Sequence, residues 1–174
     1  FVNTLAMRGK PEGKKVFEDF LKEIKESCLK AYANQEYPFE ELVEAVEVRR
    51  DMSRNPLFDV MLVLQNNEQT TLQLGESKAE GAGLVSTIAK FDLTFNIAEQ
   101  GGQFGIALEY CTDLYKTESA ERILLHLAKI LKDITMDSSL KIRELEMVTE
   151  EEQGLILGQF NATETEYPRE KTVV

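Results

Sequence analysis

Residues 49–66 constrain the fold more than any other stretch. Arg49, Arg50, Asp51 and Arg54 open it with charge, and Asn55-Pro56 follows. That pair stops a helix, because the proline ring drives the residue before it out of the helical region. Leu57, Phe58, Val60, Met61, Leu62, Val63 and Leu64 come next, with almost no polar alternation. Such a run predicts a strand over 57–65 buried on both faces. A polar turn rich in hydrogen-bonding groups is thereby set on a rigid base, a common place for binding residues.

The rest of the chain must supply the layers that cover such a strand. Its 174 residues suffice for one domain with a sizeable core. A formal charge of −11 argues against nucleic acid or an anionic membrane as a partner, since phosphate binding needs a basic face. No apolar run approaches the ~20 residues of a membrane-spanning helix, and no signal peptide is evident. Two cysteines make no disulfide framework. Cys28 and Cys111 are expected as buried, reduced thiols, and the setting as cytoplasmic. The first residue is Phe1, in mid-pattern, so the sequence reads as a piece of something longer.

In chain order, residues 1–7 read as a strand and 8–13 as a polar loop. Phe17, Phe20, Leu21, Ile24, Cys28 and Ala31 then recur at helical spacing, with charges opposite. This helix is expected to end near Asn34. Pro38 suits the first turn of a second helix over 39–48, where its missing N–H costs nothing, and Glu40 and Glu41 suit that helix's dipole. Residues 66–90, with Gly75, Gly81 and Gly83, read as a long functional loop or crossover holding short strands near 71–74 and 84–88. Phe91, Leu93, Phe95 and Ile97 alternate with polar residues, Gln100-Gly101-Gly102 turns the chain, and Phe104, Ile106, Leu108 and Tyr110 alternate again. This pattern predicts an antiparallel hairpin with one buried face. Thr117 is the expected N-cap of a long helix to about Met136. A short strand is expected over 142–148. Thr149 with Glu152 three residues on makes a capping box for a brief helix through Leu157. From Gly158 the composition turns polar, as in a linker.

Catalytic groups are scarce. The single histidine, His126, falls beside the long helix's apolar stripe and reads as structural. One histidine and two unclustered cysteines do not assemble a zinc site. There is no Gly-x-Ser-x-Gly elbow and no phosphate loop. Ser86 stands where the dinucleotide fingerprint begun by Gly81-Ala82-Gly83 would need glycine. Glu150-Glu151 sits at a helix start and reads as a solvated face. By its own residues the chain resembles the supporting half of a site.

Three stretches together carry a family resemblance. Phe1-Val2-Asn3-Thr4-Leu5-Ala6-Met7-Arg8 resembles the fifth core motif of the condensation domains of nonribosomal peptide synthetases. Asn34-Gln35-Glu36-Tyr37-Pro38-Phe39-Glu40-Glu41-Leu42-Val43 resembles the sixth, and Arg50-Asp51-Met52-Ser53-Arg54-Asn55-Pro56-Leu57-Phe58 the seventh. They occur in the family's order. Phe160-Asn161-Ala162-Thr163, Tyr167-Pro168 and Lys171-Thr172-Val173 look like the linker into an adenylation domain.

The resemblance implies an α/β (α+β) fold: a chloramphenicol acetyltransferase-like lobe, with a mixed or antiparallel sheet flanked by helices. That lobe is one half of a two-lobed condensation domain. It implies residues 1–148 as the C-terminal lobe and 149–174 as the linker. The family's catalytic His-His-x-x-x-Asp-Gly belongs to the other lobe and does not occur here, so no residue of this chain is assigned a catalytic role. The implied reaction joins a donor acyl or peptidyl thioester to the amine of an acceptor aminoacyl thioester. Both are carried on phosphopantetheine arms of carrier proteins, and no cofactor is bound directly. The implied partners are the N-terminal lobe, the donor and acceptor peptidyl carrier proteins and a downstream adenylation domain. The setting is bacterial antibiotic biosynthesis, and Asn55 fits the subtype taking an L-configured donor. A freestanding acyltransferase and a non-catalytic carrier-docking module are the alternatives.

Within that frame Asn3, Thr4 and Arg8 are candidates to line the substrate tunnel or touch the arm: an amide, a hydroxyl and a cation suited to thioester, amide or anion. Tyr37, Pro38 and Phe39 are expected to pack a helix corner. Arg50, Asp51, Ser53, Arg54 and Asn55 are expected to form one network pinning the turn before the buried strand. Residues 66–90 are a hypothesised tunnel floor or latch.

Overall fold

The computed structural model describes residues 3–46, 54–65, 73–74, 77–78 and 88–166. Contacts divide the chain into two compact units, residues 1–10 with 21–124 and residues 11–20 with 125–174.

The first unit is built on a three-stranded mixed sheet of order β1-β4-β5, from β1 (Val60–Gln65), β4 (Leu93–Gln100) and β5 (Gln103–Tyr110). β1 runs parallel to β4 from Val60 opposite Leu93 to Gln65 opposite Ala98. A parallel pair needs a long crossover, and the chain between the two strands supplies it. Within it β2 (Gln73–Leu74) pairs with β3 (Ser77–Lys78) as a small antiparallel ladder. The rest of the segment read as a tunnel floor up to residue 87, and with it the strand expected near 84–88 apart from Ile88, lies outside the described residues.

β4 and β5 form the expected hairpin. Gly101 (φ +60°) and Gly102 (φ +78°) make the two-residue turn between paired Gln100 and Gln103. Two consecutive positive φ values are the signature of the mirror-image turn that matches strand twist, and side chains beyond Cα resist that conformation. Register places Val60, Leu62 and Leu64 on the same face as Leu93, Phe95 and Ile97 and as Ile106, Leu108 and Tyr110. Leu93 (9% exposed), Thr94 (8%) and Ala120 (4%) are the buried residues among those described.

The strand over 57–65 differs from expectation. It begins at Val60, and its burial alternates instead of being complete. Val60, Leu62 and Leu64 are 50%, 66% and 54% exposed. Among the described residues β1 pairs only with β4, and the face bearing Val60, Leu62 and Leu64 is left open instead of covered by a second layer. Residues 3–8 are likewise no strand. They are held by a side chain, Asn3, and not by a backbone ladder.

The helices follow the sequence pattern with small corrections. α1 (Phe17–Ala33) ends one residue before Asn34, and α2 (Phe39–Ala45) begins after Pro38, which is its N-cap and not a first-turn residue. Beyond Val46 the expected helix lies outside the described residues. α3 is Thr117–Met136. Its first turn closes on the Lys116 carbonyl, so Thr117 is already helical, and its hydroxyl accepts from the Tyr110 phenol at 3.0 Å. Cys28 and Cys111 are free thiols but only half-buried. No helix among the described residues is long and apolar enough to cross a membrane.

In the second unit the strand expected over 142–148 is instead a 3-10 turn, Ile142–Glu144, after which residues 145–148 form no element. The Glu144 carboxylate takes the Lys141 N–H at 3.0 Å, which tightens the chain locally. The Ile142 and Arg143 N–H groups go to the carbonyls of Lys15 and Gly13. The bond to Lys15 belongs to an isolated bridge, Lys141 with Val16, and the Glu144 and Leu145 N–H groups then turn back to the Lys141 and Ile142 carbonyls, which ends the pairing. α4 (Glu150–Gly154) starts at the expected capping box, with Thr149 as N-cap, and passes into a π-helical turn, Leu155–Gln159.

Candidate functional site

The three motif stretches meet one another in the first unit. Asn3 joins the first to the second. Its Nδ2 donates to the carbonyls of Gln35 (2.7 Å) and Tyr37 (2.9 Å), and its Oδ1 accepts the Thr4 N–H at 2.9 Å. The sequence at 34–37 makes this possible. After α1 the chain continues in tight turns, with the N–H groups of Gln35 and Tyr37 bonded to the carbonyls of Tyr32 and Asn34. Pro38 then fixes an extended residue before α2. The carbonyls of Gln35 and Tyr37 are thus free of helix and meet the Asn3 amide.

Phe39 joins the second stretch to the third. Its ring meets Phe58 edge-on, with centroids 5.7 Å apart at 62°, and Phe58 stacks on Phe91 at 5.5 Å and 24°. Both are favoured arrangements of aromatic quadrupoles. Phe39 opens α2, Phe58 precedes β1 and Phe91 precedes β4, so one aromatic row anchors three element starts. Arg54 donates to Asp59 at 2.5 Å, and Asn55 Nδ2 to the Lys90 carbonyl at 3.3 Å. Arg54 is 65% exposed, so this ion pair is a solvent-screened pin for the turn. Arg50, Asp51 and Ser53 lie outside the described residues.

Two clefts border these contacts. One, of about 230 Å³, is lined by Thr4, Leu5, Ala6, Ala31, Asn34, Tyr37 and Leu42. The other, of about 250 Å³, is polar and lined by Arg54, Asn55, Ala89, Lys90, Phe91, Asp92 and Cys111. Of the arm-contact candidates, Thr4 faces the first cleft, Asn3 is engaged in its wall, and Arg8 is exposed with no hydrogen bond or ion pair to the described residues. Tyr37 is 48% exposed and lines the first cleft. No group of side chains among the described residues is arranged to hold a metal ion.

The second unit holds a cluster that sequence reasoning read only in part. Glu152 Oε2 accepts from the Thr149 N–H (3.0 Å), the Thr149 hydroxyl (3.1 Å) and His126 Nε2 (2.7 Å). The Thr149 N–H above all, then His126, hold its carboxyl down to about 2. The capping box was legible in residues 149–152, but its histidine partner comes from α3, and no spacing rule announces that.

The condensation domain family matches residues 1–157. This chain belongs to that family. It is 44% identical to gramicidin S synthase 2 of Brevibacillus brevis and 43% identical to bacitracin synthase 3 of Bacillus licheniformis, each over 99% of its length. It spans only 4% and 3% of those two relatives. The fold agrees. The X-domain from teicoplanin biosynthesis superposes with a TM-score of 0.71 over 82% of this chain and 33% of its own, at 20% identity. The starter condensation domain of the rhizomide synthetase does so at 0.70 over 84% and 34%, at 17% identity. The chain is therefore a condensation-family sequence of the nonribosomal peptide synthetase type, with the mixed α/β fold that its motifs implied.

Proposed function

We propose that the chain is the C-terminal lobe of a peptide-bond-forming condensation domain, residues 1–148, followed by a linker toward an adenylation domain, residues 149–174. The domain joins a carrier-bound donor acyl or peptidyl thioester to the amine of a carrier-bound acceptor aminoacyl thioester. Its catalytic His-His-x-x-x-Asp-Gly is contributed by the partner lobe, and this lobe alone is inactive. The partners are the N-terminal lobe, the two peptidyl carrier proteins and the adenylation domain. The substrates arrive on phosphopantetheine, and the setting is cytoplasmic.

The observation carrying this reading is the convergence of the three motif stretches through Asn3, Phe39 and Phe58, in a chain 44% identical to a peptide synthetase. Thr4 and Arg8 remain the candidates to touch a carried substrate, with Arg50, Asp51, Ser53, Arg54 and Asn55 supporting the turn before β1. The test is a reconstitution. The chain is expressed alone and joined to its native upstream lobe, and each is incubated with aminoacyl-loaded donor and acceptor carrier proteins. Mass spectrometry of the acceptor arm should show a dipeptidyl thioester only with the joined form. Intact joined protein that binds both carriers and forms no amide would favour a docking module instead.

A further inference from the structure

Asn3 is an exposed side chain whose amide is nonetheless fully committed. Both its donor and its acceptor atoms are in use, at 2.7, 2.9 and 2.9 Å, and all three partners are main-chain groups. Two of those partners lie more than thirty residues away, on the turn that carries Tyr37 into the 230 Å³ cleft. The third is the N–H of Thr4, which also lines that cleft. Leu5, Ala31 and Leu42 add apolar lining. The Asn3 carboxamide thus ties the segment bearing Thr4 to the turn bearing Tyr37.

We infer that Asn3 is a positioning residue: it does not touch substrate but holds Thr4 and Tyr37 at the distance the cleft requires. This inference rests on the proposed condensation activity, and it reassigns Asn3 within that site. Chemistry supplies a selective probe. Asn3→Asp keeps the acceptor for the Thr4 N–H but has no donor for the carbonyls of Gln35 and Tyr37, and it sets a negative charge against both. Asn3→Ala removes all three bonds. Thr4→Val leaves the clamp intact and removes only the cleft's hydroxyl.

The experiment places these three variants in the full synthetase and reads two quantities on each. The first is amide hydrogen exchange at Thr4, Gln35 and Tyr37. The second is kcat/KM for dipeptide formation from carrier-bound substrates. Asn3→Asp should speed exchange at Gln35 and Tyr37 by on the order of tenfold, because their N–H bonds to the Tyr32 and Asn34 carbonyls close the turn that the Asn3 amide holds shut, while sparing Thr4. Asn3→Ala should speed all three. In both, kcat/KM should fall by a similar factor, and Thr4→Val should lower kcat/KM with exchange unchanged. A fall in activity for Asn3→Asp without faster exchange would overturn the inference, because Asn3 would then act on substrate directly. Faster exchange with full activity would overturn it too, because the cleft would then lie outside the reaction path. A wild-type synthetase whose condensation domain forms no amide would instead remove the functional reading, leaving the exchange data to judge the clamp itself.

Discussion

Glu152 shows how one atom concentrates the second unit's order. A single carboxylate oxygen accepts two bonds from Thr149 and one from His126. All three donors favour the ionised form, and the carboxyl titrates at about 2 in place of the ordinary 4.5. A carboxyl depressed by folding stabilises the native state fully above its unfolded value, and that stabilisation fades as pH falls through the folded one. The relevant window is therefore about 4.5 down to about 2. Glu152→Gln keeps an acceptor for Thr149 but cannot ionise. Its thermal midpoint should lie below wild type by a constant margin at neutral pH, and the two should converge across that window. Curves that stay parallel to pH 2 would mean that the charge contributes nothing. Thr149→Ala, which removes the cap's own oxygen, should cost about 1 kcal/mol in chemical denaturation at neutral pH.

Among the elements, the β4–β5 hairpin is specified most locally. Gly101 and Gly102 both occupy the left-handed region, so Gly102→Val should lose about 1–2 kcal/mol, measured by urea unfolding. Gly101→Asn should lose much less, since asparagine tolerates that conformation. This hairpin was legible because its turn chemistry and its period of two agree within a few residues. α1 and α3 were legible for the same reason, at helical period. β1 was read wrongly for an instructive cause. Leu57, Phe58 and Val60 to Leu64 are continuously apolar, and composition alone does not distinguish a strand covered on both faces from one with an open face. What packs over each face decides that, and the sequence of the strand does not name it. Residues 142–148 misled in a related way: their apolar positions suit a strand, but the Glu144 and Leu145 N–H groups turn back to the carbonyls of Lys141 and Ile142 and close a 3-10 turn. The role of Asn3 was only half visible. An amide beside a hydroxyl looked suited to substrate, and nothing in the local sequence named Gln35 and Tyr37 as its partners.

The edge position of β1 has consequences for the whole molecule. Natural edges are usually blunted by charge, proline or a bulge, and Val60–Gln65 has no charged residue or proline. Val60, Leu62 and Leu64 leave half or more of their surface to solvent, on the face they share with Phe95 and Ile97. An apolar row on a strand that pairs on one side only among the described residues invites a further strand or a covering surface. If the proposed partner lobe supplies that cover, the isolated chain should self-associate at micromolar concentration by light scattering, and the chain joined to its native upstream lobe should remain monomeric. Leu62→Lys separates the edge from other apolar surface. Leu62 is 66% exposed, so the change should shift unfolding by less than about 0.5 kcal/mol, yet it should suppress the association by setting a charge in the row. Association that persists in Leu62→Lys would move the contact elsewhere on the chain. A monodisperse wild-type chain would mean that this edge needs no cover, and the two-lobed reading would lose its clearest physical support.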